Sequence, residues 1–510
     1  MIQMQNVTIT HKKDLRELLK DFSFTLKAGD KAALIGEEGN GKSTLLKLIC
    51  DETLIEEYAH YSGTIHKNGV HMGYLAQELS EVQKAQTVYE FCCESSGFLD
   101  ASPKELGALA KELGIMPELF YVQQPMGSLS GGEKVKIRLA CILLEKPDAL
   151  LLDEPSNDID IETLEWLEML ICSSRVPVMY ISHDETLLEK TANVIIHIEQ
   201  IRRKTQARHT VSRTDYRSYV EARRSGLERQ EQQARNERLE YAKQQVRFQK
   251  IQQKVEHQQN TISRQDPAGG RLLKKKMHAV KSMERRFEKE FENRTQRPET
   301  EDAIFFKFSE QIKMPAGKRV LDYQKEQLVV DGTVLAKDIQ LEVIGPKHIC
   351  IVGKNGVGKS TMLKEIADQL LTRTDLHVGY MPQNYEDLLD LSQTPVEFLT
   401  VSGDKEEHSR ISTYLGSMKY TADEMRHAVR ELSGGQKAKL LLLRMSIQKC
   451  DVLVLDEPTR NFSPLSLPVI RRTLAEFPGA IISVSHDRKY ISEVCGEIYE
   501  LAETGLKKKI

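Results

Sequence analysis

Three short patterns occur twice along this chain at one fixed spacing. Leu129-Ser-Gly-Gly-Glu returns as Leu432-Ser-Gly-Gly-Gln, Asp153-Glu-Pro as Asp456-Glu-Pro, and Ser182-His-Asp as Ser485-His-Asp, each pair 303 residues apart. A constant offset of that length means two copies of one domain rather than one continuous core. The length of 510 residues agrees, because single hydrophobic cores stop growing well below that size.

Within each copy the order of local patterns sets the fold class. The apolar runs Lys31-Ala-Ala-Leu-Ile and His348-Ile-Cys-Ile-Val each lead into a glycine-rich loop, followed by helical patterns at Leu45 to Ile49 and Met362 to Ile366. Further buried strands are expected at Ala149 to Leu152 and Val452 to Leu455. Strand, loop and helix in that order, with strands apolar on both faces, predict an α/β fold built on a largely parallel sheet in each copy. The expected division is residues 1–200 for the first copy, 201–298 for a linker and 299–510 for the second copy.

The glycine-rich loops carry chemistry. Gly36, Glu37, Glu38, Gly39, Asn40, Gly41, Lys42 and Ser43, followed by Thr44, match the phosphate-binding pattern GxxxxGK[ST]. So do Gly353, Lys354, Asn355, Gly356, Val357, Gly358, Lys359 and Ser360, followed by Thr361. The glycines let successive backbone N–H groups turn toward an anion, and the helix that follows presents its positive end. In such loops Lys42 and Lys359 reach the β- and γ-phosphates, while Ser43 and Ser360 coordinate Mg²⁺. Asp153 and Asp456 close apolar strands, where a carboxylate can hold the metal or its water. Glu154 and Glu457 are then placed to polarise an attacking water. A single such acidic pair also reads as a helix cap; beside two phosphate loops the catalytic reading is the stronger.

With the signatures Ser130, Gly131, Gly132 and Ser433, Gly434, Gly435, the glutamines Gln77 and Gln383, and the histidines His183 and His486, these motifs resemble the set of the ABC ATPases. The resemblance covers both copies. It implies hydrolysis of ATP with Mg²⁺ held by Ser43, Gln77 and Asp153 in one site and by Ser360, Gln383 and Asp456 in the other, and a catalytic role for His183 and His486 beside the two glutamates. It also implies two composite sites, because in that family each phosphate loop faces the signature of the other cassette. One would join Lys42, Ser43, Gln77, Asp153, Glu154 and His183 to Ser433 and Gly435; the other would join Lys359, Ser360, Gln383, Asp456, Glu457 and His486 to Ser130 and Gly132.

The segment between the copies has a different character. From Gly226 to Ile262 it is rich in Gln, Glu, Arg and Lys with sparse apolar positions, a good helix former but a poor core former. Gln265-Asp-Pro-Ala-Gly-Gly reads as a break, and a second helical stretch is expected from Leu272 to Asn293, giving a long antiparallel α-helical hairpin. Residues 202–297 hold 26 Lys and Arg against 12 Asp and Glu, a net charge of +14 that leaves −17 for the rest of the chain. A solvated coiled coil laced with i,i+4 pairs is the bland explanation. At the bend, within residues 263–276, Arg264, Arg271, Lys274, Lys275 and Lys276 are opposed only by Asp266, which favours a polyphosphate partner. Tyr216 and Tyr219 read as helix-packing residues more readily than as base-stacking ones.

Two cassettes joined by a long basic hairpin, with no apolar run of the roughly 18 to 20 residues a membrane helix needs, resemble the ABC-F proteins. That resemblance implies the ribosome as partner, with the hairpin entering the tRNA exit site beside the P-site tRNA and its tip near the peptidyl-transferase centre, where the basic residues would meet large-subunit rRNA. A narrower likeness follows the second Asp456-Glu-Pro: copy two continues Thr459-Arg-Asn-Phe-Ser-Pro, with Ser463 where copy one has Asp160. This departure resembles the antibiotic-resistance branch, associated with lincosamides, pleuromutilins and streptogramin A, and argues against equal hydrolysis at the two sites. The alternatives are a housekeeping ABC-F translation factor and an ATPase subunit of a membrane transporter. The expected setting is a cytoplasmic functional monomer whose two cassettes pair within one chain, with no stable membrane partner; the 8 scattered cysteines read as reduced packing residues.

Overall fold

The computed structural model describes residues 1–201, 204–261, 267–292, 308, 312, 314–330, 332–401 and 403–509. Two compact units result: Met1–Arg217 with Glu301–Ile510, which holds both copies, and Ser218–Thr300.

Each copy is built on a six-stranded sheet with the same strand order. In the first, Met72–Leu75, Ala149–Asp153, Val178–Ile181, Lys31–Ile35, Val194–Ile201 and Gln206–Ser212 lie side by side, and only the last pairing is antiparallel. In the second the order is Val378–Met381, Val452–Asp456, Ala480–Val484, His348–Val352, Glu497–Ala502 and Gly505–Lys509, again antiparallel only at the end. The central strands are buried on both faces, which is why their sequences run apolar without alternation. A smaller antiparallel layer accompanies each sheet: Glu17–Leu26, Ile2–His11 and Ala59–His66 in the first copy, Arg319–Val330 with Thr333–Ile344 in the second.

The helix after each phosphate loop is the centre of a core. Helix Lys42–Cys50 buries Leu45, Leu46, Leu48 and Ile49 against Phe22, Leu34 and Ile196, and helix Lys359–Leu371 buries Met362, Leu363 and Ile366 against Val343, Ile351 and Val454. The topology also positions the motifs. In each sheet the strands ending in the phosphate loop, the Asp-Glu pair and the Ser-His-Asp triplet are neighbours and parallel, so all three motifs emerge at one carboxyl edge.

Three expectations shift. Strand Gln206–Ser212 still pairs in the first sheet, so that cassette continues past residue 200. The first linker helix begins at Tyr216, not near Gly226, and runs 46 residues to Thr261, about 69 Å at 1.5 Å per residue. Good helix formers on both sides outweigh the roughly 1 kcal/mol cost of an interior glycine. Pro267 opens the second helix, Pro267–Glu292, instead of ending the first: a proline in the first helical turn forfeits no hydrogen bond. Tyr216 and Tyr219 are buried, as expected of packing residues.

Candidate functional site

The phosphate loops close on their own lysines. Lys42 Nζ donates to the carbonyls of Gly36 at 2.8 Å and Glu37 at 2.9 Å, and Lys359 Nζ to those of Gly353 at 2.9 Å and Lys354 at 2.8 Å. Gly36 and Gly353 have φ of 141° and 151°, and a Cβ on either would lie 2.2 Å from Ile198 O or 2.4 Å from Leu501 O, so only glycine fits under the neighbouring strand. Asn40 is part of the loop's anchor: its amide donates to Ile198 O at 3.0 Å, while Val357 packs against the second core. Gly39 and Gly356 leave their Cβ positions open, and Gly41 and Gly358 cap the following helices in the left-handed conformation. Thr44 is buried at the start of its helix.

In the first cassette the acidic residues are held by neighbours. Ser43 Oγ donates to Asp153 Oδ1 at 2.9 Å and Tyr74 to Asp153 Oδ2 at 3.4 Å; burial pushes the Asp153 carboxyl up to about 6 despite them. Glu154 has φ of 50°, an uncommon conformation that turns its side chain inward. It accepts from Gln77 at 3.0 Å and Asn157 at 2.5 Å and lies 3.3 Å from His183. Burial raises Glu154, but the charge of His183, its hydrogen bond and Lys42 outweigh it and hold the carboxyl at about 2.

The second cassette repeats the backbone and not the environment. Glu457 has φ of 49°, yet burial and the adjacent Asp456 push its carboxyl up to about 8, and His486 lies 4.0 Å away, its imidazole drawn down to about 4 by burial and Lys359. Asp456 Oδ1, Glu457 Oε1 and His486 Nδ1 are buried with no hydrogen-bond partner among the described residues. They face a cavity of about 820 Å³ lined by Asn355, Gly356, Gly358, Lys359, Ser360, Thr361 and Gln383 from one cassette and Ser130, Gly131 and Lys134 from the other. Unsatisfied buried acceptors at the edge of such a space point to an occupant that brings donors or a cation. Ser360 and Asp456 offer hard oxygens, and no cluster of three His, Cys, Asp or Glu side chains exists among the described residues. A magnesium ion held by one hydroxyl and one carboxylate suits this set, because Mg²⁺ takes few protein ligands and completes its shell with water and phosphate oxygens.

The ABC transporter family matches residues 19–157 and 336–460, more than half the chain. The chain belongs to the ABC family of ATPases. Its curated relatives include ABC transporter F family member 5 of Arabidopsis thaliana, 26% identical over 98% of this chain and 75% of its own length. The Ribosome protection protein VmlR of Bacillus subtilis (strain 168) is 27% identical over 100% of this chain and 88% of its own length. The fold is shared with the archaeal ribosome recycling factor aABCE1, at a TM-score of 0.59 and 17% identity over 98% of this chain and 89% of that one.

In this ABC ATPase each signature starts a helix of the cassette opposite the loop it faces. Ser130 and Ser433 are the N-caps of helices Gly131–Leu144 and Gly434–Ile447, each locked in a capping box with Glu133 or Gln436. The signature hydroxyls are therefore engaged within their own helix turns, Ser130 Oγ donating to Glu133 at 2.6 Å. Gly131 has no room for a side chain, since a Cβ would fall 1.8 Å from Asp158 O; a Cβ on Gly132 would fall 2.7 Å from Thr163 Oγ1 and one on Gly434 2.9 Å from Asn461 Nδ2.

Several residues at the interface of the ATPase were not singled out in the sequence. Asp158, with φ of 55°, receives Asn355 Nδ2 on its carbonyl at 2.7 Å, Arg460 on both carboxylate oxygens at 3.0 and 3.1 Å and Gln383 at 3.3 Å. Farther along the interface Arg471 pairs with Glu185 at 2.5 Å, Lys489 with Glu189 at 2.6 Å, and Arg488 with Glu168 and Asp184. The available signal was that Arg460 occupies the repeat position of Asn157, one place before that of Asp158. In the linker, Arg271, Lys274, Lys275 and Lys276 are exposed, and Arg264 lies outside the described residues. No helix among the described residues is long and apolar enough to cross a membrane.

Proposed function

We propose that this ABC-F ATPase acts in the cytoplasm as a monomer on the ribosome and protects it from antibiotics at the peptidyl-transferase centre, namely lincosamides, pleuromutilins and streptogramin A. The observation that carries the reading is the linker: helices of 46 and 26 residues with a segment charge of +14, placed between two ATP cassettes. Arg271 and Lys274 to Lys276 are exposed and supply the density of cations that an RNA backbone requires. A relative named a ribosome protection protein matches the full length of the chain. The domain reading is two cassettes, up to about residue 212 and from about 299, with the linker between them.

The proposal assigns the following residue roles. The phosphate loops bind ATP; Lys42 and Lys359 exchange their loop carbonyls for phosphate oxygens. Ser43, Gln77 and Asp153, and Ser360, Gln383 and Asp456, hold magnesium, which screens the phosphate charge when bound. Glu154 and Glu457 polarise and orient the attacking water, His183 and His486 fix those carboxyl groups, and the signatures of the opposite cassette supply N–H groups to the terminal phosphate. ATP thereby joins the cassettes, and closure sets the linker for insertion through the tRNA exit site beside the P-site tRNA, releasing the drug. Hydrolysis opens the clamp.

The test is the inhibitory concentration of the three drug classes in a susceptible Gram-positive host with and without the protein. Resistance that disappears in the Glu154→Gln, Glu457→Gln double variant is expected, together with trapping of that variant on ribosomes. Ribosome binding without resistance would leave a housekeeping translation factor; no ribosome binding would remove the ribosomal reading.

A further inference from the structure

The two composite sites differ most in what meets the signature helix. At the first, Gly435 N donates to Glu38 Oε2 at 2.8 Å, and Lys439 Nζ on the same helix lies 3.1 Å from Glu37 Oε1. At the second, Asn355 takes the place of Glu38 in the loop, and its amide turns instead to Asp158 O at 2.7 Å. Lys354, at the position of Glu37, points to Glu162 at 3.6 Å. The space beside the first signature, between Glu37, Glu38, Ser433, Gly435 and Lys439, is about 30 Å³, against about 820 Å³ at the second.

A backbone N–H at a helix start is a strong donor, and the helix dipole adds to its attraction for an anion. A carboxylate in that position makes a charge-assisted hydrogen bond of the same kind that a phosphate oxygen would make. The amide cannot serve both. Asn355, being neutral and turned away, offers no such competition at the second site.

We propose that Glu38 is a built-in competitor for the terminal phosphate of ATP at the first composite site, so that ATP there must displace an intramolecular anion from Gly435 while ADP need not. The inference rests on the reading that each phosphate loop binds ATP against the opposite signature. It makes the first site the weaker one for ATP and erodes its preference for ATP over ADP, and it gives the nucleotide-free cassettes a contact that imitates the closed state. Lys439 holds Glu37 beside it and keeps the loop turned toward the signature.

The full-length chain carrying Lys359→Ala reports the first site alone in calorimetric titration with the non-hydrolysable analogue AMP-PNP and with ADP. Adding Glu38→Asn, the residue of the second loop, is expected to tighten AMP-PNP about tenfold, the scale of one charged hydrogen bond, and to leave ADP unchanged. The transplanted acid, Asn355→Glu on a Lys42→Ala background, is expected to weaken AMP-PNP at the second site. Equal tightening of both nucleotides would reduce Glu38 to a general negative charge near the site. Weaker AMP-PNP binding in Glu38→Asn would make it a strut that supports closure. Either result overturns the proposal. If neither Lys359→Ala chain binds nucleotide saturably while the unsubstituted chain does, the composite-site assignment itself falls.

Discussion

The imidazole of His183 reaches out of its own cassette: Nδ1 lies 2.6 Å from the carbonyl oxygen of Phe462 in the other. A carbonyl only accepts, so Nδ1 donates to it, while Nε2 faces Glu154 at 3.3 Å. The same ring therefore senses the far cassette on one edge and the catalytic carboxylate on the other. At the second site His486 Nδ1 has no partner among the described residues, so this coupling runs one way. Replacing His183 by Ala removes both links, and ATP turnover is expected to fall by about 10²-fold, with His486→Ala producing a different loss. Steady-state phosphate release from each variant checks this.

The pH dependence of stability separates the two glutamates. Glu457 is raised from its ordinary range to about 8, so the nucleotide-free folded chain binds a proton there more tightly than the unfolded chain does. Its contribution is fully present below the unfolded value of 4.5 and is lost as pH rises through about 8. Glu457→Gln is expected to raise the melting temperature at pH 8.5 by a few degrees, roughly 2–4 °C, and to leave it unchanged at pH 5. Glu154, held at about 2, behaves oppositely: its contribution is present above 4.5 and is lost as pH falls through about 2. Glu154→Gln therefore lowers the melting temperature at neutral pH. Thermal scans in chelator without nucleotide distinguish the two.

Arg471 and Glu185 form a buried ion pair between the cassettes, with 3% and 7% of their side chains exposed. Burial pushes the Glu185 carboxyl up to about 7 against the pull of Arg471 and Lys489, while on Arg471 the opposing effect of burial is outweighed by Glu185, Glu493 and Asp487, which raise it above its ordinary value. The ion pair is the arrangement the geometry supports, since the guanidinium also bonds Glu493 at 2.7 Å. Arg471→Ala alone leaves the buried acid with only the more distant Lys489, 3.9 Å away, and is expected to cost about 3 kcal/mol, whereas Arg471→Met with Glu185→Leu is expected to recover most of it. A double-mutant cycle by denaturant melting measures the difference.

Linker charge is read out by salt. Replacing Lys274, Lys275 and Lys276 by Ala removes up to three phosphate contacts, and the slope of log affinity for ribosomes against log salt is expected to fall by about 2. A slope that does not change would place RNA contact elsewhere on the chain.

The signature glycines allow a steric test. Gly131→Ala places a Cβ 1.8 Å from Asp158 O, so the loop after Glu154 must move and the Asp158 contacts with Asn355 and Arg460 are expected to break. ATP turnover is expected to fall without loss of the folded cassettes, as circular dichroism and phosphate release together would show.

The repeat was legible because each motif is contiguous: strand, turning loop and helix are fixed by residues within about ten positions of one another, and local sterics and periodicity suffice to read them. Apolar runs such as Ala149 to Leu152 and Val452 to Leu455 announced strands buried on both faces, and the structure ends those strands on Asp153 and Asp456. The linker's helical nature was likewise written in its composition, although its start at Tyr216 and the place of Pro267 depended on which residues the neighbouring sheet claimed and which turn the chain chose.

What only tertiary structure decided is the inequality of the two sites. Glu38 and Asn355 occupy the same position in matching loops, yet one reaches Gly435 and the other Asp158, because partners 397 and 197 residues away are brought there by cassette packing. Glu154 and Glu457 share a motif and a backbone conformation but are driven in opposite directions, by His183 and Lys42 in one case and by burial beside Asp456 in the other. Sequence fixes which groups can do chemistry, since that follows from residue type and local turns. Electrostatic environment is a sum over everything within a few ångströms, and that sum exists only once the chain has folded.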